Sequence, residues 1–207
     1  MQTPARADPP YVPIRRTWPT RRTPRWWFAA GLLVLAAGVL VGIAVHPSRS
    51  QRAADLNGFL TDMKTDIQSC AGGVAESLTV LRAIEGGTSR DLNTAIRVAT
   101  YGAGNCSPAN NVLLADLVGY QVHESLSSFR LDRVVNGLVT WAFPDAQRVQ
   151  DDVAAVLRAH GASHAAASAK LSADLRILDN QRTYLDRIML AAIRATGASG
   201  RPPPLPG

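Results

Sequence analysis

The chain has 207 residues, of which 46% are hydrophobic and 18% charged, and its formal net charge at pH 7 is +6. That length suits one ordinary domain with tails, and the composition excludes a collagen-like or wholly disordered protein. Two cysteines are too few for a disulfide-dense mini-protein or for a four-cysteine zinc site.

Most of the net positive charge lies at the N-terminus. Residues 1–25 hold six arginines against one acid, a net charge of +5, whereas the other 182 residues hold 16 basic and 15 acidic side chains. A high isoelectric point indicates nucleic-acid binding only where basic residues share a folded face, so no nucleic-acid partner is expected. Residues 1–25 also hold six prolines, which predicts a disordered cytoplasmic tail.

Residues 26–45 form an apolar span without a charged side chain. Twenty residues at a rise of about 1.5 Å each make a helix of about 30 Å, which matches the hydrocarbon core of a bilayer. Five arginines precede the span closely, namely Arg15, Arg16, Arg21, Arg22 and Arg25. Because basic flanks stay cytoplasmic, the sequence predicts a single-pass membrane protein whose chain after Val45 lies outside the cytoplasm.

Two features of this span leave alternatives open. Gly38 and Gly42 lie one helical turn apart and Gly31 lies one heptad earlier, a pattern typical of a packing face for a second copy or another membrane protein. Glycine is also common in such helices for compositional reasons. Cleavage after Ala44 would instead release a secreted protein, but signal peptides usually carry a shorter apolar region, so an anchor is favoured.

Residues 46–197 show helical periodicity without a convincing strand pattern. The sequence therefore predicts an all-α fold, an extracytoplasmic bundle of four to six helices. An apolar seam marks the first helix, carried by Leu56, Leu60, Met63, Ile67, Cys70 and Val74. This helix is expected to end at Gly86-Gly87, with a kink or a close helix contact at Gly72-Gly73.

Later helix starts are read from capping signals. Thr88 and Asp91 match a capping box, and Ser107-Pro108 and Pro144-Asp145 each match a helix start. The last helix is expected to run from Ser163 to Thr196. Residues 198–207 are rich in proline and are predicted to be a disordered end.

The two cysteines are predicted to pair. Cys70 lies on the apolar seam of the first helix, and Cys106 lies in a loop before the third. Outside the cytoplasm a disulfide persists, so a Cys70–Cys106 bridge is favoured over two buried free thiols.

No catalytic constellation is found in the sequence. His160 and His164 have the spacing of a zinc clamp, but Gly161 between them indicates a helix end, so no metal site is predicted. Asp151 and Asp152 are adjacent and are expected to be ordinary solvated acids. We therefore expect no enzyme, no cofactor and no metal.

The expected function is protein–protein contact or a structural role in a bacterial-type cell envelope, with the lipid bilayer and an unknown envelope protein as partners. The alternative is a small-ligand sensor or binding module in which the bundle holds a pocket. A cleaved, secreted helical protein is the third possibility.

Overall fold

A computed structural model describes residues 47–206 of the chain, and these residues fold as helices. Helical residues make up 79% of the described range, which contains no strand. The α-helices are α1 (Arg49–Glu85), α2 (Leu92–Asn105), α3 (Val112–Val118), α4 (Leu131–Thr140), α5 (Gln147–Arg158) and α6 (Ala162–Thr196). A 3₁₀ turn spans Glu124–Phe129, and the chain kinks within Trp141–Ala146. The predicted all-α bundle is confirmed for this range.

The predicted apolar seam of α1 forms the centre of the core. All six of its residues are at most 3% exposed. The helix ends where the sequence predicts, because the backbone N–H of Gly86 donates to Arg82 O at 2.8 Å and Gly87 follows with a φ of +69°. A positive φ is accessible to glycine at little cost, and it turns the chain away from the helix axis.

The predicted capping box is wrong. Asp91, not Thr88, caps α2, and its carboxylate accepts from the backbone N–H of Thr94 at 2.9 Å. The Thr88 hydroxyl instead donates to Ala83 O at 3.1 Å and so closes the end of α1.

The predicted helix start at Ser107-Pro108 is also early. Ser107 O accepts from the backbone N–H groups of Asn110 and Asn111 in a turn. Asn111 then caps α3 through its side chain, which accepts from Leu114 N. Helix α3 therefore begins only at Val112, because the turn uses the preceding backbone groups.

Helices α2, α3, α5 and α6 pack against α1, and α4 packs against α3 and α6. Helix α2 lies between α1 and α5, and α6 packs on α5 and α4. At the α4–α6 contact, a Cβ on Gly137 would lie 2.5 Å from Leu185 Cδ2, so a larger residue there would require the leucine side chain to move. Phe143 is extended (φ −138°, ψ 117°) before Pro144, and α5 begins at Gln147 rather than at Pro144-Asp145.

Residues 198–206, called here the C-terminal segment, lie against the bundle, in contrast to the predicted disordered end. Gly197 ends α6 in the left-handed region, as predicted for this glycine. The backbone N–H of Gly200 donates to Asn57 Oδ1 at 2.8 Å, and Leu205 is only 6% exposed. An apolar anchor and a backbone hydrogen bond thus hold a segment whose prolines alone favour extended, unpaired chain.

None of the helices within residues 47–206 has the length and apolar character needed to cross a bilayer. The predicted span of residues 26–45 lies outside the described residues.

Candidate functional site

The residues predicted to have a role fall into two groups. Gly31, Gly38 and Gly42 and the five arginines before the span lie outside the described residues. The two cysteines lie inside them, on α1 and directly after α2.

Cys70 and Cys106 form a disulfide, as the sequence predicts. Their sulfur atoms are 1.98 Å apart, their Cα atoms are 4.6 Å apart, and both side chains are fully buried. The bridge joins the middle of α1 to the C-terminal end of α2. It therefore links two helices that also pack against each other along their lengths.

Two glycines allow the backbones of α1 and α2 to approach next to the disulfide. A Cβ on Gly73 would lie 3.1 Å from Gly102 Cα, and a Cβ on Gly102 would lie 3.2 Å from Gly73 O. The close helix contact predicted at Gly72-Gly73 is thus found at Gly73. Its partner Gly102 is not identifiable from the sequence alone, because the pairing depends on the register of two separate helices.

Gln150 of α5 packs against the disulfide and against Gly73 and Gly102. Its amide Nε2 donates to Cys106 Sγ at 3.1 Å, the residue is fully buried, and its Oε1 has no hydrogen-bond partner among the described residues. Sequence reasoning missed Gln150. Its position beside Val149 and three residues before Val153 places it on the buried stripe of α5, and this helical spacing is the signal that identifies it.

Three residues with the composition of a catalytic triad meet between α1 and the 3₁₀ turn. Ser125 Oγ donates to Asp55 Oδ2 at 2.5 Å, and His123 Nδ1 lies 2.9 Å from Ser125 Oγ and 3.4 Å from Asp55 Oδ2. In a working triad the two ring nitrogens of the histidine contact different partners. Here one nitrogen faces both, and it also accepts from the backbone N–H of Ser125. This geometry caps the turn and does not activate a nucleophile.

A charged cluster joins α5 to α6. Lys170 Nζ lies 2.5 Å from Asp152 Oδ1 and 3.1 Å from Asp174 Oδ2, and Arg148 lies 3.9 Å from Asp174. Burial raises the pKa of Asp152, whereas hydrogen bonds with Asp152 and Lys170 lower the pKa of Asp174. Asp152 is 6% exposed, so its predicted solvation is wrong, because Lys170 approaches it from α6.

These polar clusters hold helices together, and their partners come from the bundle itself. Among residues 47–206, no group of three or more histidine, cysteine, aspartate or glutamate side chains is placed to hold a metal ion. Two surfaces of the described bundle differ from the rest.

The first surface is the outer face of α3. Leu114 and Leu117 point into the core, whereas Val112, Leu113 and Val118 are exposed, with 75% of Val112 and 60% of Val118 accessible to solvent. At 100° per residue these three side chains are spread around the outward side of the helix, so they offer three separate apolar contacts and not one continuous patch. We call this outward side the α3 surface.

The second surface surrounds the C-terminal segment. On the α1 side, a cleft of about 430 Å³ lies between the segment and residues that include Ile67, Ala71 and Gly72. On the α6 side, an open groove of about 820 Å³ is lined by four arginines, namely Arg182, Arg187, Arg194 and Arg201. We call the latter the arginine groove.

No protein-family model matches the chain, and no curated protein or solved structure shows significant similarity to it.

Proposed function

We propose that the chain is a single-pass membrane protein that presents a helical bundle outside the cytoplasm and acts there by protein–protein contact, without catalysis. The observation that carries this proposal is the Cys70–Cys106 disulfide. Structural disulfides form and persist in oxidising compartments and are rare in the cytosol of most organisms. A fully buried bridge between two packed helices is a structural one, which supports a location outside the cytoplasm.

The charge pattern around residues 26–45 supports the same side of the membrane independently of the disulfide. The apolar residues 26–45 are long enough to cross a bilayer, and five arginines precede them within a short distance. The positive-inside rule makes no use of the cysteines, and the redox argument makes no use of the arginines. Both favour a cytoplasmic N-terminus and an external bundle.

The proposed topology is tested with paired reporter fusions. Alkaline phosphatase, which is active only outside the cytoplasm, is fused after residue 207, and a cytoplasm-dependent fluorescent protein is fused at the same place. We expect phosphatase activity without fluorescence in cells. Fluorescence without phosphatase activity at residue 207 would contradict the topology.

Sequencing of the mature N-terminus distinguishes cleavage after Ala44 from a retained anchor. An anchored protein keeps its first residues and stays in the membrane fraction. A chain that begins at Val45 and is recovered outside the membrane would replace the anchor with a secreted protein.

The α3 surface is the contact surface that we propose for a second envelope protein. A photocrosslinking amino acid is placed at Val112 or Val118 in cells, and a matched control is placed at Ser172, an exposed position on α6. We expect one discrete crosslinked species at both α3 positions, lost when Leu113 is replaced by aspartate. Crosslinks of equal yield and size at Ser172 would contradict a specific role of α3.

A small-ligand binding module is the second candidate, and the cleft of about 430 Å³ favours it. Most of its lining is apolar and comes from α1 and the C-terminal segment. Gly72 is exposed there and has open space around it, so Gly72→Leu is expected to fill the cleft without disturbing the core. Mass spectrometry of protein purified from membranes tests this candidate: a stoichiometric small molecule present in the wild type and lost in Gly72→Leu supports it, and its absence from both opposes it.

A further inference from the structure

The arginine groove concentrates positive charge on a bundle that is otherwise nearly neutral. Residues 47–206 contain 16 basic and 15 acidic side chains, yet four arginines and a single carboxylate, that of Asp186, line this groove. Arg187 and Arg194 lie seven residues apart and therefore share one face of α6. Arg201 faces them from the C-terminal segment.

Three of these arginines have no counterion among residues 47–206. Arg182 forms an ion pair with Asp179 on the same helix. Within the part of the chain that the structure describes, Arg187, Arg194 and Arg201 have no carboxylate within 4 Å. Like charges gathered without a counterion repel one another, so the groove favours an anion. Guanidinium groups bind phosphate through paired hydrogen bonds.

The groove also has an apolar wall. Leu190, which lies between Arg187 and Arg194 on the same face, is 44% exposed, and the accessible Pro202 and Pro204 of the C-terminal segment also line the groove. An inorganic anion carries no hydrocarbon that could pack against these apolar side chains. A ligand that combines a phosphate with hydrocarbon satisfies both parts of the groove.

One end of the groove, at Arg194, lies near the start of α1. Arg49 Nε donates to Thr196 O at 3.2 Å, which ties the end of α6 to the first residue of α1. Arg194 and Arg201 are two and five residues from Thr196 along the chain. Only three residues separate Arg49 from Val45, the end of the proposed membrane span, a reach of about 14 Å at most. The bundle therefore begins near the same end of α6 as Arg194, and the groove runs from there along α6 to Arg182, fourteen residues before Thr196.

We propose that the arginine groove binds the phosphate headgroup of an anionic phospholipid in the outer leaflet next to the anchor. This inference rests on the proposed membrane anchor. Arg187, Arg194 and Arg201 contact the phosphate, and Leu190, Pro202 and Pro204 contact the adjoining hydrocarbon. Binding would hold the bundle close to the membrane surface, and it would weaken as salt screens the arginines.

The test uses the full chain in a mild non-ionic detergent and three soluble probes. Dihexanoyl-phosphatidylglycerol carries both the anionic phosphate and hydrocarbon, dihexanoyl-phosphatidylcholine lacks the net charge, and glycerol 3-phosphate lacks the hydrocarbon. Calorimetric titration is expected to show saturable, salt-dependent binding of the first probe, at least about tenfold tighter than binding of either other probe. Equal binding of phosphatidylcholine, or tighter binding of glycerol 3-phosphate, would overturn the assignment.

A matched pair of double variants locates the site. Arg187→Gln/Arg194→Gln is expected to weaken phosphatidylglycerol binding at least about tenfold, because two charge-assisted contacts are lost. Arg90→Gln/Arg176→Gln removes the same charge from exposed positions outside the groove and is expected to bind like the wild type. Circular dichroism establishes that both variants are folded. Equal affinities for the two variants would overturn the proposal.

The two proposals fail separately. Fluorescent fusions at residue 207 would contradict the anchored topology, whatever the groove binds. External phosphatase activity together with absent phosphatidylglycerol binding would contradict the lipid site alone.

Discussion

The two sides of α5 are stabilised by different physical means. Toward α2 lie a disulfide, two glycines in backbone contact and the uncharged Gln150. Toward α6 lie Arg148 and Asp152, which meet Lys170 and Asp174. The α2 side depends on a covalent bond and on shape, which pH and salt change little, whereas the α6 side depends on charges that both can alter. Helix α5 therefore contacts α2 through interactions that pH and salt change little, and it contacts α6 through interactions that both can change.

Removal of the disulfide is expected to have the largest effect. The bridge spans a sequence separation of 36, which corresponds to about 4 kcal/mol on the chain-entropy estimate. We expect Cys70→Ala/Cys106→Ala to lower the free energy of unfolding by about this amount in denaturant titrations of the full chain in detergent. The reduced wild type serves as the control and should resemble the variant. An unchanged unfolding midpoint would show that the α2 side does not depend on the bridge.

A methyl group at Gly102 tests whether the α2 side of α5 depends on the close approach of Gly102 to Gly73 and Gln150. The new Cβ would lie 2.5 Å from Gln150 Oε1 and 3.2 Å from Gly73 O, so Gly102→Ala is expected to cost about 1–3 kcal/mol. Gly72→Ala is the matched control. That position is exposed on the same helix as Gly73 with open space around it, so alanine should stabilise α1 by about 0.5–1 kcal/mol. Equal effects at both sites would remove the argument from close approach.

The α6 side is tested by Lys170→Met, with a smaller expected effect. The lysine side chain is 58% exposed, so its loss is expected to cost only about 1 kcal/mol at pH 7. Lys64→Met, at an exposed position on α1, is the matched control and should leave stability nearly unchanged. A cost as large as that of losing the disulfide would contradict the distinction between the two sides.

The cost of Lys170→Met should also depend on pH. The lowered pKa of Asp174 contributes stability that is present above its ordinary value of 3.8 and is lost as pH falls through the folded pKa. The raised pKa of Asp152 acts in the opposite sense, since protonation favours the folded state as pH falls toward 3.8. Without Lys170 the carboxylates of Asp152 and Asp174 repel each other. Protonation of either carboxylate therefore stabilises the folded variant more than it stabilises the folded wild type. Thermal unfolding at a series of pH values should show the difference shrinking on acidification, and a constant difference would contradict this account.

Features that depend on one helix were predictable from the sequence. The seam of α1, its end at Gly86 and the end of α6 at Gly197 follow from helical spacing and from terminal glycines. The cysteine pair joins two helices and was predictable for another reason, because two cysteines allow one pairing and the expected location outside the cytoplasm favours it. In contrast, the burial of Asp152 depends on Lys170, which is eighteen residues away on another helix.

The same distinction explains the errors at the helix starts and at the C-terminus. Thr88 has the residue type of a cap, but its hydroxyl bonds to the end of α1, so the cap of α2 moves to Asp91. The C-terminal segment is ordered by Asn57 and by the burial of Leu205, contacts that its own composition does not reveal. Long-range partners decide such features, and a single sequence does not name them.

The location of the bundle outside the cytoplasm is the central claim, and the redox state of the cysteines in living cells tests it most directly. Cells are quenched with acid, free thiols are alkylated at once, and membrane proteins are digested without reduction. We expect mass spectrometry to find the peptides of Cys70 and Cys106 joined by a disulfide in nearly all copies. Recovery of both cysteines in alkylated form would contradict an oxidising location and, with it, the proposed topology.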